Sequence, residues 1–431
     1  MSWKKEYNNK KITVDDALNM VKSNYDIVVG LAASEPMDFL NRLHEVKDNV
    51  ENVNVLTCLN MGNYEFTKNP DMYGHFTNLA WFYTPLTRKA QPYKTASFIP
   101  NHLHLAAKAR LDYKKPNVFM ATVSPMDKHG YFSLSLSLTY EREFLEAADI
   151  VILEVNENYP RTYGDTFVHI NDVDYLYESN RPVPELPVVE PSEKDMIIGG
   201  YISELVDDGS TIQLGIGGIP NAVAKSLINK KDLGIHTEMF TDGMVDLYEA
   251  GVITNKKKSI HKGKSITTFA LGSKKLYDFI DDNPGVELKR GAYTNDPYVV
   301  GQNYKMVSIN TSLQLDLTGQ VCSESLGHIQ YSGTGGQADT AIGSQMSPGG
   351  KSIIALYSTA KKDTISTIVP LLTEGAAVSL SRNDVDYVVT EYGVAPLRGR
   401  EIRQRVNNLI AIAHPDFRSE LQKKANELML W

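Results

Sequence analysis

Residues 211–240, TIQLGIGGIPNAVAKSLINKKDLGIHTEMF, decide how the chain is read. A short apolar run ending at Leu214 enters Gly215-Ile216-Gly217-Gly218-Ile219-Pro220, a helical pattern follows over AVAKSLIN, and His236 to Phe240 reads as the next strand. Strand, glycine turn, helix and strand in that order form the repeating unit of an α/β fold with a largely parallel sheet. The same alternation extends in both directions. Upstream, the runs ITV, DIVVGLA, VNVLTCL, NVFMATVS and DIVILEVN alternate with the helical patterns DDALNMVKS and EREFLEAA. Downstream, SITTFAL, VELKRG, MVSINTSLQLDL, SIIALYS, AVSLS and DYVVTEYG read as strands, and SELQKKANELM as a C-terminal helix.

The two stretches are separated by RPVPELPVVEPSEK, whose prolines at 182, 184, 187 and 191 remove backbone donors and fit neither a helix nor a central strand. Two α/β domains are therefore expected, 1–185 and 186–431, each of ordinary domain size. Ser192 followed by Asp195 signals a capped helix start, and the helix through MIIGGYISELV should stop at DDGS.

Composition narrows the function classes. The chain has 431 residues, and 44 Lys and Arg against 52 Asp and Glu leave a net charge of −8, which argues against a sequence-independent grip on nucleic acid. Cys58 and Cys322 show no CxxC or zinc spacing and read as packing residues in a reducing compartment. The start, MSWKKEYNNKKITVDDA, lacks the apolar run of a signal peptide, and no stretch of about 18 apolar residues occurs, so a soluble, cytoplasmic protein without a membrane partner is expected.

Several strings could carry chemistry. The glycine turn at 215–218 can offer backbone N–H groups to an anion or a carbonyl oxygen. It is not a dinucleotide fingerprint, because Pro220 stands where the last glycine belongs and suits the first helical position instead. An ordinary strand-to-helix turn would read the same way. Glu238 is out of place on an inner strand unless it is used or is satisfied by neighbouring donors. In open α/β sheets functional groups gather at the carboxyl ends of strands, which would bring Glu238 and the glycine turn to one crevice. QYSGTGGQADTAIGSQMS places Gly333, Gly335 and Gly336 just before a helix or irregular turn, either a ligand loop or a flexible one. Lys361 and Lys362 follow a strand, and KKKSIHKGK (256–264) reads as a solvated lysine-rich loop that could also meet a polyanion. His102 and His104 have the wrong spacing for a helical metal pair, and no GxSxG elbow is present. Asp242 and Asp246 read as acids at a helix start.

Taken together, GIGGIP, Glu238 within HTEMFTDGMVDLYEAG, SGTGGQ, STAKK, and SRNDVDYVVTEYGVAPLRGR followed by IAHPDF resemble the acetyl-CoA hydrolase/transferase family. VSPMDKHGYFSLSLS (123–137) and EVNENYPRTYGDTFVHINDVD (154–174) resemble its N-terminal half, so the likeness runs from residue 3 to 420. The resemblance implies two related open α/β CoA-transferase domains with coenzyme A held between them. It makes Glu238 the nucleophile, assigns Gly215, Ile216, Gly217, Gly218 and Ile219 to a CoA-contacting turn, gives Gly335 with Gly336 to a loop holding the thioester oxygen, and counts Gly333 among the CoA-binding residues. It adds Lys361 as a CoA contact. The expected activity is transfer of CoA between a short-chain acyl-CoA, 4-hydroxybutyryl-CoA or butyryl-CoA, and a carboxylate such as acetate. An acyl-CoA hydrolase using the same glutamate, a CoA-sensing protein and a nicotinamide dehydrogenase are the alternatives, Glu238 counting against the second and Pro220 against the third. No metal or further cofactor is expected, the acyl-CoA and the acid being the small-molecule partners, and the chain is expected to form a homo-oligomer.

Overall fold

The computed structural model describes residues 3–431, an α/β chain that divides into two compact units. The first contains the chain up to Pro187 together with Ile266–Tyr293, and the second contains Val188–Ser265 and Thr294–Trp431. The change at Pro187 lies close to the expected boundary at 185. The return of 266–293 to the first unit corrects the expectation of a single crossover. Its cause is backbone pairing: Val286–Leu288 runs parallel to Tyr163–Gly164, and Leu138 N–H reaches Thr268 O at 2.8 Å. Such long-range pairing leaves no local mark in sequence.

The first unit is built on β1 (Asp26–Val29), β2 (Val53–Thr57), β3 (Phe76–Ala80), β4 (Ala96–Phe98), β5 (Val118–Val123), β6 (Ile150–Asn156) and β7 (Tyr175–Ser179). They lie in the order β7-β6-β5-β1-β2-β3-β4, every pair parallel. β1 and β5 are buried along their whole length, which is why they read as near-continuous apolar runs, interrupted at Asp26 and Thr122, and not as alternation. Ile27, Val29, Val53, Val55, Val118 and Met120 pack with Phe39, Phe66 and Phe76 in the core.

The second unit holds β8 (Thr211–Leu214), β9 (Gly234–Ile235), β10 (Met306–Thr311), β11 (Lys351–Ala355), β12 (Tyr387–Thr390) and β13 (Gly393–Pro396). The order is β9-β8-β10-β11-β12-β13, parallel except for the closing β12–β13 hairpin. The chain leaves β8 to one side for β9 and returns on the other side for β10. The carboxyl ends of β8 and β10 are therefore a topological switch point, where ligands of open α/β sheets bind. Among the described residues no helix is long and apolar enough to cross a membrane.

Two expected strands are absent. ITV gives way to the helix Val14–Asn19, because Thr13 and Asp16 form a reciprocal capping box. AVSLS contributes only an isolated bridge between Leu380 and Val321. Cys58 and Cys322 are both buried, and neither forms a disulfide among the described residues.

Candidate active site

All the candidate residues read from the sequence lie in the second unit. β8 ends at Leu214, and the helix Gly218–Ser226 starts with Gly217 as its cap, at φ +114°, a conformation that favours glycine. Gly218 is required for a different reason: a Cβ there would lie 2.6 Å from Asp195 Oδ2. Asp195 belongs to the expected capping box, since Ser192 Oγ accepts from Asp195 N and the Asp195 carboxylate accepts from Ser192 N. Its other oxygen accepts from Tyr357 Oη at 2.6 Å. Pro220 is the third helical residue and not the first, still within the turn whose N–H groups have no intrahelical partner. Ile216 projects to solvent while Ile219 is buried, so only Ile216 of the two can meet a ligand in this conformation.

Glu238 does not lie within a strand. Gly234–Ile235 and Met239–Phe240 are separate two-residue strands, and the chain bends at Glu238 between them. The bend releases the side chain from the in-and-out alternation of a strand and leaves it partly exposed. Asn295 Nδ2 donates to Glu238 Oε2 at 2.9 Å, and the backbone N–H of Gly336 also donates to the carboxylate. Burial pushes the Glu238 carboxyl up to about 7; the Asn295 bond opposes this, the neighbouring Asp339 charge adds to it, and the Gly336 N–H opposes it.

Gly336 caps the helix Gln337–Met346 with φ −92°, so glycine is not demanded there by backbone conformation. It is demanded by space, because a Cβ would overlap Glu238 Oε2 and Asn295 Nδ2. Gly335, at φ +55°, turns the chain just ahead of it, and Gly333 is buried. Gln337 Nε2 donates to Thr311 O at 3.0 Å, which ties this helix start to the carboxyl end of β10. The structure thus brings Glu238 and the SGTGGQ loop into direct contact.

The lysines behave differently from one another. Lys361 and Lys362 occupy the exposed tip of the Thr359–Ala360/Ile365–Ser366 hairpin, both with positive φ. In the 256–264 segment, Lys258 is 1 % exposed and donates to Ile235 O at 2.7 Å and Lys264 O at 2.8 Å, which corrects the reading of that lysine as solvated. It holds the strand that leads into Glu238.

Three neighbours of Glu238 escaped the sequence reading. Asn295 stands 57 residues away, just before the Asp296-Pro297 helix start, and no spacing rule links the two. Asp339 reads as an ordinary first-turn acid. His236 is fully buried, with Nε2 2.8 Å from Thr294 O. A carbonyl only accepts, so Nε2 carries the hydrogen. Burial lowers its pKa to about 3, with the Lys258 charge adding to the effect, so the ring is neutral and tethers the residue next to Asn295.

The acetyl-CoA hydrolase/transferase N-terminal domain model matches residues 1–190, and its C-terminal domain model matches 272–425. The chain belongs to the acetyl-CoA hydrolase/transferase family. The glycine turn and Glu238 fall in the stretch that separates the two matched segments, but full-length relatives span it. Succinyl-CoA:cyclohexane-1-carboxylate CoA transferase of Geobacter metallireducens is 46% identical, over 99% of this chain and 97% of its own. 4-Hydroxybutyrate coenzyme A transferase of Clostridium kluyveri is 45% identical, over 98% and 99%. Among solved structures of the family, 4-hydroxybutyrate CoA-transferase from Porphyromonas gingivalis superposes with a TM-score of 0.85 at 37% identity, covering 99% of this chain and 100% of that one.

Proposed function

We propose that this protein is a CoA-transferase in which Glu238 becomes covalently loaded. The observation that carries the reading is the setting of Glu238: a partly exposed carboxylate at the switch-point end of a parallel sheet, held by neutral donors from Asn295 and Gly336. Burial raises the energy of this charge, which favours its attack on a carbonyl.

The ionised Glu238 attacks the acyl-CoA carbonyl and expels the CoA thiolate, leaving a mixed anhydride. The thiolate then attacks Glu238 Cδ, releases the acyl group as a free carboxylate and leaves a glutamyl-CoA thioester. An incoming acid reverses both steps, so the thioester bond energy is conserved. When Cδ is attacked, negative charge develops on a carboxyl oxygen, and Asn295 Nδ2 is already 2.9 Å from Oε2. The Gly336 N–H supplies the second donor of an oxyanion site. Binding of the long, non-reacting CoA chain supplies positioning, with Gly215 to Gly218, Gly333, Gly335 and Lys361 as its contacts. No cofactor beyond the thioester substrate enters these steps.

The substrates we propose are short-chain acyl groups, 4-hydroxybutyryl-CoA or butyryl-CoA, with acetate as the acceptor. The Geobacter relative's name, with a ring acid, makes the acyl pocket the point to test. We further place the protein in the cytoplasm as a homo-oligomer, with fermentative acid metabolism as its setting. The test is an acceptor panel of acetate, butyrate, 4-hydroxybutyrate, succinate and cyclohexane-1-carboxylate with acetyl-CoA, following acyl-CoA products by mass spectrometry. New acyl-CoA from the short linear acids supports the reading. Thioester loss at the same rate without any acceptor would make the protein a hydrolase instead.

A further inference from the structure

Gly336 can serve the reaction only if its N–H is held in place, yet it sits in a loop with glycines at 333, 335 and 336, the residues that leave a backbone most free. The restraint comes from a residue that neither contacts Glu238 nor belongs to a recognised motif. We propose that Glu324 is the positioning residue of this loop: it clamps Tyr331, Ser332 and Thr334 so that the Gly336 N–H points at Glu238. The proposal rests on the Glu238 mechanism and adds to it the source of its precision.

Glu324 is 6 % exposed and lies at a bend between the strand Val321–Cys322 and the small hairpin Ser325–Leu326/Ile329–Gln330. Its backbone carbonyl accepts from Tyr331 N at 2.7 Å and from Ser332 N at 3.0 Å, fixing the start of the loop. Its side chain fixes the middle, since Oε1 accepts from Thr334 Oγ1 at 2.9 Å. The same oxygen accepts from Ser379 Oγ at 2.9 Å, and Ser379 Oγ in turn accepts from Ser323 N at 3.0 Å. Glu324 is therefore itself anchored from outside the loop. Ser323 completes the brace from the far side, donating through Oγ to Gln337 Oε1 at 2.7 Å, at the first residue of the helix that Gly336 caps. Residues 331, 332, 334 and 337 are thus tied to the adjacent pair Ser323 and Glu324. On the helix side, Gly336 O accepts from Thr340 N at 2.9 Å and from Thr340 Oγ1 at 3.0 Å, so the Glu324 brace holds the loop that leads into this capped end.

The choice of a carboxylate is physically reasonable. One carboxylate oxygen accepts two hydroxyls at once, and bonds to a carboxylate are about twice as strong as bonds between neutral groups. A neutral acceptor placed on the same atom would keep the geometry and weaken the hold. That difference separates a positioning role from mere packing.

The test compares Glu324→Ala, Glu324→Gln and Thr334→Val in the full chain, measuring kcat, the KM for acyl-CoA, the melting temperature and the rate at which the glutamyl adduct appears. Glu324→Ala should lower kcat and the adduct rate by about 10–100-fold while KM stays within about threefold, because the donor acts mainly in the transition state. Glu324→Gln, which keeps an oxygen for Thr334 and Ser379, should recover most of that loss. Thr334→Val removes one tie at nearly constant volume and should fall in the same direction; it decides the matter if Glu324→Ala does not fold. A kcat within twofold of wild type in the folded alanine variant, or in Thr334→Val, overturns the proposal. So does a loss carried entirely by KM. Glu238→Ala is the control that separates the two claims: if it remains active, the glutamyl mechanism fails, whereas an inactive Glu238→Ala beside a fully active Glu324→Ala refutes only the clamp.

Discussion

Replacing Gly336 by alanine isolates the contact on which the chemistry depends. At φ −92° and ψ 13° the backbone accepts alanine without strain, and removing glycine's freedom from the unfolded chain favours folding by about 0.4–1 kcal/mol. The added Cβ, however, would overlap Glu238 Oε2 and Asn295 Nδ2 at once. The relief must come from displacing the carboxylate, the amide or the loop, and each displacement breaks an oxyanion contact. Loss of one such donor costs about 10²–10³ in turnover, or about 2.7–4 kcal/mol. Gly336→Ala should therefore lower kcat by at least about a hundredfold with the KM for acyl-CoA little changed. Steady-state and burst kinetics on acetyl-CoA with butyrate, beside thermal melts, measure this. Gly335→Ala is the comparison: at φ +55° its cost falls on stability, about 1–2 kcal/mol for a left-handed residue. A folded Gly336→Ala variant with turnover within threefold of wild type would refute the reasoning.

The raised Glu238 pKa gives kcat/KM a limb that rises with pH through about 7, because only the ionised form attacks. Asp339→Asn removes a like charge and should move that limb to lower pH; an unmoved limb refutes the coupling. The same shift has a stability consequence. A carboxyl whose folded pKa lies above its unfolded value of 4.5 loses stability as pH rises from that value towards 7, so Glu238→Gln should melt higher than wild type at pH 8 and level with it near pH 4.5. Equal melting temperatures at pH 8 would contradict this. Lys361→Ala should raise the KM for acyl-CoA and leave kcat unchanged, and an unaltered KM removes the hairpin tip from the CoA site.

The α/β architecture was legible because parallel strands such as β1 and β5, buried on both faces, leave near-continuous apolar runs like DIVV and VFMATV. β3 and β4 escaped, since FTNLA and ASF carry polar residues and lack β-branched density. The site was half legible. Gly336 and Glu238 stood in quotable strings, but the space that makes Gly336 indispensable is set by Asn295, 41 residues before it. Asn295, Asp339, His236 and Glu324 are placed by tertiary packing, and an Asn before Asp-Pro or an acid in a first turn has ordinary local explanations. The buried Lys258 shows the same limit in reverse: composition marks a lysine run as solvated, and only the fold turns one of the five towards backbone carbonyls.

The central claim is that Glu238 carries CoA. Incubation with acetyl-CoA in the absence of acceptor, reduction with borohydride and peptide mass spectrometry test it most directly. The account predicts that the glutamyl thioester is reduced to an alcohol at Glu238 alone, in the peptide containing His236 to Phe240, and that free acetate appears in equal amount. An unmodified Glu238 in a protein that still turns over, or an adduct on any other residue, would contradict it.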